Sequence, residues 1–337
     1  MRKTLLTAVA GAALALSGVG AHADTLDTIK QRGQVICGVN TGLPGFAAPN
    51  EKGEWTGLDV DYCRAIAAAV LGDATKAKFV PVSTKDRFTA LQSGEIDVLN
   101  RNSTWTLGRD TAGMLFAGVN FYDGQGFLVK KSLGVKSATE LSGASICAQQ
   151  GSTGQLTISD YMRTHNLPYN IVSFDTPEEA ARAYEGGRCD VNTDDASGLY
   201  AVRVKMANPD DHVVLPEIIS KEPLAAAVRQ GDDKWYNVVK WVHYAMLSAE
   251  EAGVTQANVD EMVKSDKPDI KRLLGTEGDF GKQLGLDNQW AYRIVKQVGN
   301  YGESFDRNLG PKTVLKIDRG LNNLWTKGGL QYAPPIR

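Results

Sequence analysis

Two successive runs of alternating strand-like and helix-like segments constrain this chain more than any other feature of it. In the first run "VICGVN" reads as a buried strand. "GEWTGLDVDYCRAIAAAVLG" follows as a loop and helix, with Val60, Cys63, Ile66, Ala67 and Val70 at helical spacing and Gly72 as the stop. "AKFVPV" is a second strand, "TKDRFTALQSG" a helix opening near Ser83 or Thr84, and "EIDVLN" a third strand. The second run repeats the pattern with "ASICAQQ", "STGQLTISDYMRTHN", "YNIVSF", "TPEEAARAYEGG" and "RCDVNTDD", followed by a helix in "ASGLYAVRVKMA". Such alternation implies an α/β protein built on mostly parallel sheets flanked by helices. Between and after the runs lie extended pieces, "MLFAGVNFYDGQGFLVKK", "VVLPEIIS" and "PLAAAVRQ", and then the long helix of "DDKWYNVVKWVHYAMLSAEEAG". The expected organisation is one lobe from 24–122 plus 223–337, the latter including a C-terminal helical extension, and a second lobe from 123–222. Two lobes joined by two extended connections can hinge and close on a ligand.

The first 23 residues stand outside this pattern. "MRK" is a short positive segment, "LLTAVAGAALALSGVG" an apolar one, and "AHA" a small-x-small site, the three-part form of a secretory signal cleaved after Ala23. The full chain of 337 residues has net charge −2. Removing Arg2 and Lys3 takes two of its 37 basic residues and leaves 35 against 39 acidic ones, a net charge of −4. That balance, with no block of like charges, disfavours nucleic acid and anionic membrane as partners. No later stretch approaches the length of a membrane span, so the mature chain is expected in solution in the periplasm, as a monomer.

Cysteine usage agrees with export. Cys37, Cys63, Cys147 and Cys189 are an even set, which suggests two disulfides in an oxidising compartment. Three pairings are possible. Pairing within each lobe, Cys37 with Cys63 and Cys147 with Cys189, is the expectation, because a bond between lobes would oppose hinge motion. The spacing contains no CxxC and the chain has only four histidines, so no metal site is expected.

Open α/β sheets bind ligands beyond the carboxyl ends of their strands. Three loops occupy such places: "RNSTWTLGRD", "QQGSTGQ" and "NTDDASG". Together they carry hydroxyls, backbone N–H groups, Arg109 and the pair Asp194 and Asp195. These parts suit a zwitterion. A guanidinium donates two parallel bonds to a carboxylate, helix-starting N–H groups add anion affinity, and an aspartate suits an ammonium. Arg109 as a surface charge opening a helix, and Asp195 as the N-cap of "ASGLYAV", are the alternatives.

At these residues the chain resembles the extracytoplasmic solute-binding proteins of polar amino acid ABC importers, and within them the general L-amino-acid-binding subgroup. The resemblance rests on "GLDVDYCRAIAAAV", "DRFTALQSGEIDVLNRNSTWTLGRD", "QQGSTG" and "GRCDVNTDD", with the long tail and "CGVNTGLPGF" pointing to the subgroup. It implies the two-lobed type II periplasmic binding protein fold, a ligand that is an L-amino acid, a membrane permease as partner and no cofactor. It also implies roles: Arg109 on the ligand carboxylate, Asn102 and Thr104 on the loop before it, Ser152 and Thr153 in the second-lobe turn, and Asp195 on the ammonium. Arg87 matches an arginine that some acidic-amino-acid binders place on the side-chain carboxylate. Asn40 replaces a second such arginine, and Leu43 stands where cationic-amino-acid binders carry an aromatic residue. One cation plus amides fits both Glu/Asp and Gln/Asn side chains, a broad range. Trp105 is expected to wall the side-chain pocket or the cleft rim, or else to be partly buried in the core.

Two other functions compete. An enzyme on the same scaffold, such as a dehydratase of cyclic carboxylic acids, needs a positioned acid or base. No histidine falls in the three loops, and GxSxG, P-loop and post-strand GxGxxG motifs are missing. A soluble sensor partner of a membrane receptor would bind the same compounds.

Overall fold

The computed structural model describes residues 24–337; the segment read as an export signal, 1–23, lies outside the described residues. The strands in chain order are β1 (Val35–Val39), β2 (Ala48–Pro49), β3 (Trp55–Thr56), β4 (Ala77–Pro81), β5 (Val98–Leu99), β6 (Met114–Asp123), β7 (Gln125–Lys130), β8 (Ala144–Gln149), β9 (Tyr169–Phe174), β10 (Val191–Asp195), β11 (His212–Val214) and β12 (Glu222–Arg229). Strands β2 and β3 form a small ribbon. The others make two five-stranded sheets, in the orders β4-β1-β5-β12-β6 and β11-β7-β10-β8-β9.

Each sheet is mixed rather than mostly parallel. The β4-β1-β5 and β10-β8-β9 neighbours run parallel. Strand β12 is antiparallel to both β5 and β6, and β7 is antiparallel to both β10 and β11. The parallel part follows from helical crossovers, which return the chain to its starting edge. The antiparallel part is made by the strands that carry the chain from one sheet to the other, where no helix intervenes.

The crossovers form where the apolar spacing placed them. Helix Leu58–Leu71 lies between β1 and β4 and buries Val60, Cys63, Ile66 and Ala67 completely, while Gly72 ends it in the left-handed conformation. Helix Pro177–Glu185 begins with a capping box, Thr176 and Glu179 satisfying each other's backbone N–H groups, and has Pro at its first position. The helix after β4 starts later than Ser83 or Thr84: it spans Arg87–Ser93, and residues 83–86 make a preliminary turn in which Ser83 and Asp86 bond each other. Thr84 is diverted to another partner, described below.

The chain passes between sheets twice. Gly124 separates β6 from β7, and residues 218–222 lead back into β12 alongside it. A Cβ on Gly124 would meet Ile218 at 2.2 Å and the Ser220 carbonyl at 2.8 Å, so only glycine lets the two crossing segments lie this close. Ser220 Oγ accepts from Gln125 N at 3.1 Å, and Glu222 faces Asp123 in register.

Both disulfides close inside one sheet-and-helix unit. Cys37 on β1 joins Cys63 on the crossover helix, and Cys147 on β8 joins Cys189 just before β10, the pairing expected. The C-terminal helices pack on the first unit. Asp61 accepts from Ser304, from Asn308 and twice from Arg307, at 2.6–3.0 Å. Asn322 bonds both backbone groups of Tyr122, and Tyr301 donates to Asn120 O at 2.8 Å, so this extension braces β6 just before the crossing.

Candidate functional site

The carboxyl ends of the two sheets face each other, and the loops that follow β5, β8 and β10 meet there. Thr84 donates to Gln149 Oε1 at 2.6 Å, Thr41 to Glu178 at 3.1 Å, and Lys205 to the Gly42 carbonyl at 2.6 Å, each a bond between the two units. The lobes are therefore closed on each other. Gly151 sits in this contact at φ +74°, where a Cβ would lie 3.7 Å from Lys85 Cα, so the turn before helix Thr153–Thr164 needs a glycine for its backbone.

From the first lobe come three arginines. Arg109 lies in a short helix, Leu107–Asp110, capped by Thr106. Its Nη1 donates to the Thr104 carbonyl at 2.8 Å and its guanidinium rests on the Phe88 ring at 5.0 Å. Burial lowers its pKa, while Glu222 and Asp195 oppose that shift. Arg87 is only 3% exposed, not the solvated helix-face charge its place beside Asp86 could suggest. Its guanidinium lies over Phe88 at 4.7 Å and donates to no described residue; its Nε is buried without a partner. Burial and the neighbouring charges of Arg101 and Arg109 push its pKa well down, against the pull of Asp195 and Asp194. Arg101, which sequence reasoning passed over, is fully buried and donates to Val82 O and to Thr84 Oγ1. Its pKa falls to about 10, chiefly through burial.

Four carboxylates answer from the second lobe and the crossing strands. Asp195 ends β10 and occupies the N-cap position of helix Ala196–Arg203, yet its side chain caps nothing and accepts no hydrogen bond from the described residues. Burial, Asp123, Asp194 and Glu222 together drive its pKa well above the usual carboxylate range, with Arg87 opposing. Asp194, the other candidate in that loop, already has partners: Gln149 Nε2 at 2.5 Å and the Asp195 N–H at 2.9 Å. Burial raises it to about 6. Asp123 is raised to about 6 by the same cause and is bonded by Ser197. Glu222 was not anticipated. It is buried and accepts from Thr104 Oγ1 at 2.5 Å, Thr153 Oγ1 at 2.9 Å and Ser220 Oγ at 2.6 Å.

Thr104 and Thr153 approach each other from opposite lobes, their hydroxyls 3.4 Å apart. The Ser152 hydroxyl is engaged in capping: it accepts from Gln155 N at 3.1 Å and donates to Gln149 O at 2.7 Å. What that turn leaves open is the amides of Thr153 and Gly154 at the start of its helix, which have no intrahelical acceptor. Asn40 and Asn102 bond each other at 2.9 Å. Asn102 has φ +32°, and its N–H donates to Asp59, whose pKa burial raises to about 7. This pair shapes the loop after β5. Trp105 extends the core of the first lobe, its indole stacked 5.9 Å from Phe116 and 37% exposed.

One chain of bonds crosses the cleft outright. Arg101 donates to Thr84, Thr84 to Gln149, and Gln149 to Asp194, at 2.8, 2.6 and 2.5 Å. No cluster of three or more metal-ligating side chains occurs among the described residues, and no described helix is long and apolar enough to cross a membrane.

This geometry has relatives. The general L-amino acid-binding periplasmic protein AapJ of Rhizobium johnstonii is 60% identical over the whole of both chains. The glutamate/glutamine/aspartate/asparagine-binding protein BztA of Rhodobacter capsulatus is 53% identical over 96% of each. Among solved structures, an ABC transporter periplasmic binding protein from Brucella ovis with glutathione bound superposes with a TM-score of 0.92 at 61% identity, covering 94% of this chain and all of that one. Residues 35–328 match the sequence pattern of a single family, and with these relatives they place the chain among the bacterial extracellular solute-binding proteins, family 3, as an amino-acid-binding component of an ABC transporter.

Proposed function

We propose that the protein binds L-amino acids of broad range, acidic amino acids and their amides favoured, between its lobes in the periplasm. The closed form is then recognised by the permease of an ABC importer in the inner membrane. The observation that carries this reading is a pair of unmet demands across one cleft. The Arg87 guanidinium makes no hydrogen bond to a described residue, Arg109 makes one from its side chain, and the Asp195 carboxylate accepts none. Buried charges without partners are costly, and a zwitterion with a polar side chain supplies what both sides lack. In this reading Arg109 and the amides at the start of helix Thr153–Thr164 take the α-carboxylate, Asp195 takes the α-ammonium, and Arg87 takes a side-chain carboxylate or amide oxygen. We read the chain as a carrier rather than an enzyme. Of the three described histidines, His243 is buried against Val119 O with its pKa lowered to about 4, His212 bonds Tyr184, and His165 is exposed at the end of its helix against Tyr161 O, so none is placed as a base in the cleft.

Isothermal titration of ligand-stripped protein with the twenty amino acids tests this. Heat is expected with several, strongest for glutamate, glutamine, aspartate and asparagine. Arg109→Ala should remove it for all, while Arg87→Ala should weaken glutamate and aspartate more than alanine. Absence of heat with every amino acid would refute the reading.

A second reading is supported by the glutathione in the Brucella ovis relative. The γ-glutamyl end of glutathione carries the same free α-ammonium and α-carboxylate as an amino acid. The same clamp can hold that end and leave the rest of the tripeptide toward Arg87. Titration with reduced glutathione beside glutamate separates the two: binding of glutathione alone would favour a γ-glutamyl peptide carrier.

A further inference from the structure

Glu222 has a position that the clamp as described does not use. It begins the returning strand β12, is 2% exposed, and collects three hydroxyls. Two of them, from Thr104 of the first lobe and Thr153 of the second, donate to the same oxygen, Oε2. An ionised carboxylate only accepts hydrogen bonds. Each threonine hydroxyl has a single proton, and here that proton is committed to Glu222. What both hydroxyls then present to anything else is a lone pair. The two oxygens stand 3.4 Å apart, one on each lobe, so closure brings two acceptors together at one place. Asp195, nine-tenths buried and accepting no hydrogen bond from the described residues, adds a third acceptor in its ionised form, the form an ammonium ligand stabilises, and lies close enough for the Glu222 charge to raise its pKa.

A set of acceptors with no donor among them is matched by a cation that carries several protons. A primary ammonium has three. A carboxylate ligand would meet only lone pairs and negative charge there, and a neutral hydroxyl, with one proton, could satisfy a single acceptor.

We propose that Glu222 is the second carboxylate of the ammonium seat: it fixes the Thr104 and Thr153 hydroxyls as acceptors and doubles the negative charge facing the ligand's amino group. Glu222 is thus a positioning residue that acts through the two threonines, and it determines selection for a free amino group over its absence. The inference rests on the amino-acid clamp proposed above. Because Glu222 belongs to the segment that joins the lobes and holds one hydroxyl from each, the seat is complete only in the closed form.

The test compares L-glutamate with glutarate, its deamino counterpart, by displacement titration calorimetry on the full-length mature protein. The readout is the ratio of the two dissociation constants. In Glu222→Gln the amide can donate to a threonine, which frees a hydroxyl proton to point at the ligand. The ratio is expected to fall by on the order of tenfold or more, the scale of a hydrogen bond to a charged group. Glu222→Asp should recover part of the selectivity, which a purely structural role for the side chain would not predict. Should Glu222→Gln fail to fold, Thr153→Val removes one oriented acceptor without altering the crossing strand, and the same ratio should drop. A ratio in Glu222→Gln, or in Thr153→Val, within twofold of wild type overturns the proposal while leaving the clamp intact. Failure of the wild-type protein to bind L-glutamate or any other amino acid removes the clamp and this inference with it.

Discussion

At Asp195, burial and three neighbouring carboxylates act in one direction. Each disfavours the ionised form, and Asp194 and Asp123, raised to about 6, behave alike. A carboxyl whose pKa is higher folded than unfolded holds its proton better in the native state. Its contribution to stability is present below the ordinary carboxylate pKa and is lost as pH rises through the raised value. The ligand-free protein should therefore melt higher near pH 5 than near pH 7 as far as this cluster decides. An ammonium ligand needs the ionised carboxylates, so the rise in melting temperature caused by glutamine should grow from pH 5 to pH 7.5. A ligand-induced rise that is flat across that range would count against the assignment. Asp195→Asn should cost α-amino acids about 2–5 kcal/mol of binding, the scale for removing one member of a buried charge pair, and deamino analogues much less; calorimetry at pH 7.5 measures both. The cleft positions of Arg109 and Asp195 were legible because one follows a recognisable strand and the other closes one. Glu222 was not legible, because what makes it matter is the approach of a chain segment more than a hundred residues away, at Thr104; Arg101 was not, because its bonds to Val82 O and Thr84 Oγ1 are set by how the loop after β5 folds back and not by spacing along the chain. Ser152 was legible as part of the turn, but a hydroxyl at the start of a helix caps before it does anything else.

At the scale of elements, apolar periodicity located the crossover helices well because the core decides them. Val60, Cys63, Ile66 and Ala67 are all fully buried. It located helix starts less well. The turn 83–86 has capping chemistry without yet being helix, since Thr84 points across the cleft to Gln149. Parallel and antiparallel pairing also escaped the sequence, because a strand's residues do not record which edge it joins. The disulfides are legible to the extent that lobes are. Opening the Cys147–Cys189 bond, which spans 42 residues, by substituting both cysteines with alanine should lower stability by about 2–4 kcal/mol in denaturant melts. Loss of amino-acid affinity at a temperature where the variant is still folded would show that the bond shapes the cleft directly.

For the molecule as a whole, affinity is the product of ligand contacts and of the closure that assembles them. The relay from Arg101 through Thr84 and Gln149 to Asp194 exists only while the lobes meet. Thr84→Val should weaken binding of every ligand by a similar factor, about 0.5–1.5 kcal/mol, without changing the order of preference. Small-angle scattering should then show the ligand-free variant more extended than wild type; unequal losses among ligands would mean that Thr84 touches them.

Both sulfur bridges are anchored within a single unit, so neither spans the line along which the units separate. Gating and redox chemistry are thereby uncoupled: a reductant can loosen one half of the molecule but has no bolt to draw between the halves. A graded thiol titration should leave uptake of ligand at full stoichiometry until a whole unit melts, with no intermediate species locked open or shut.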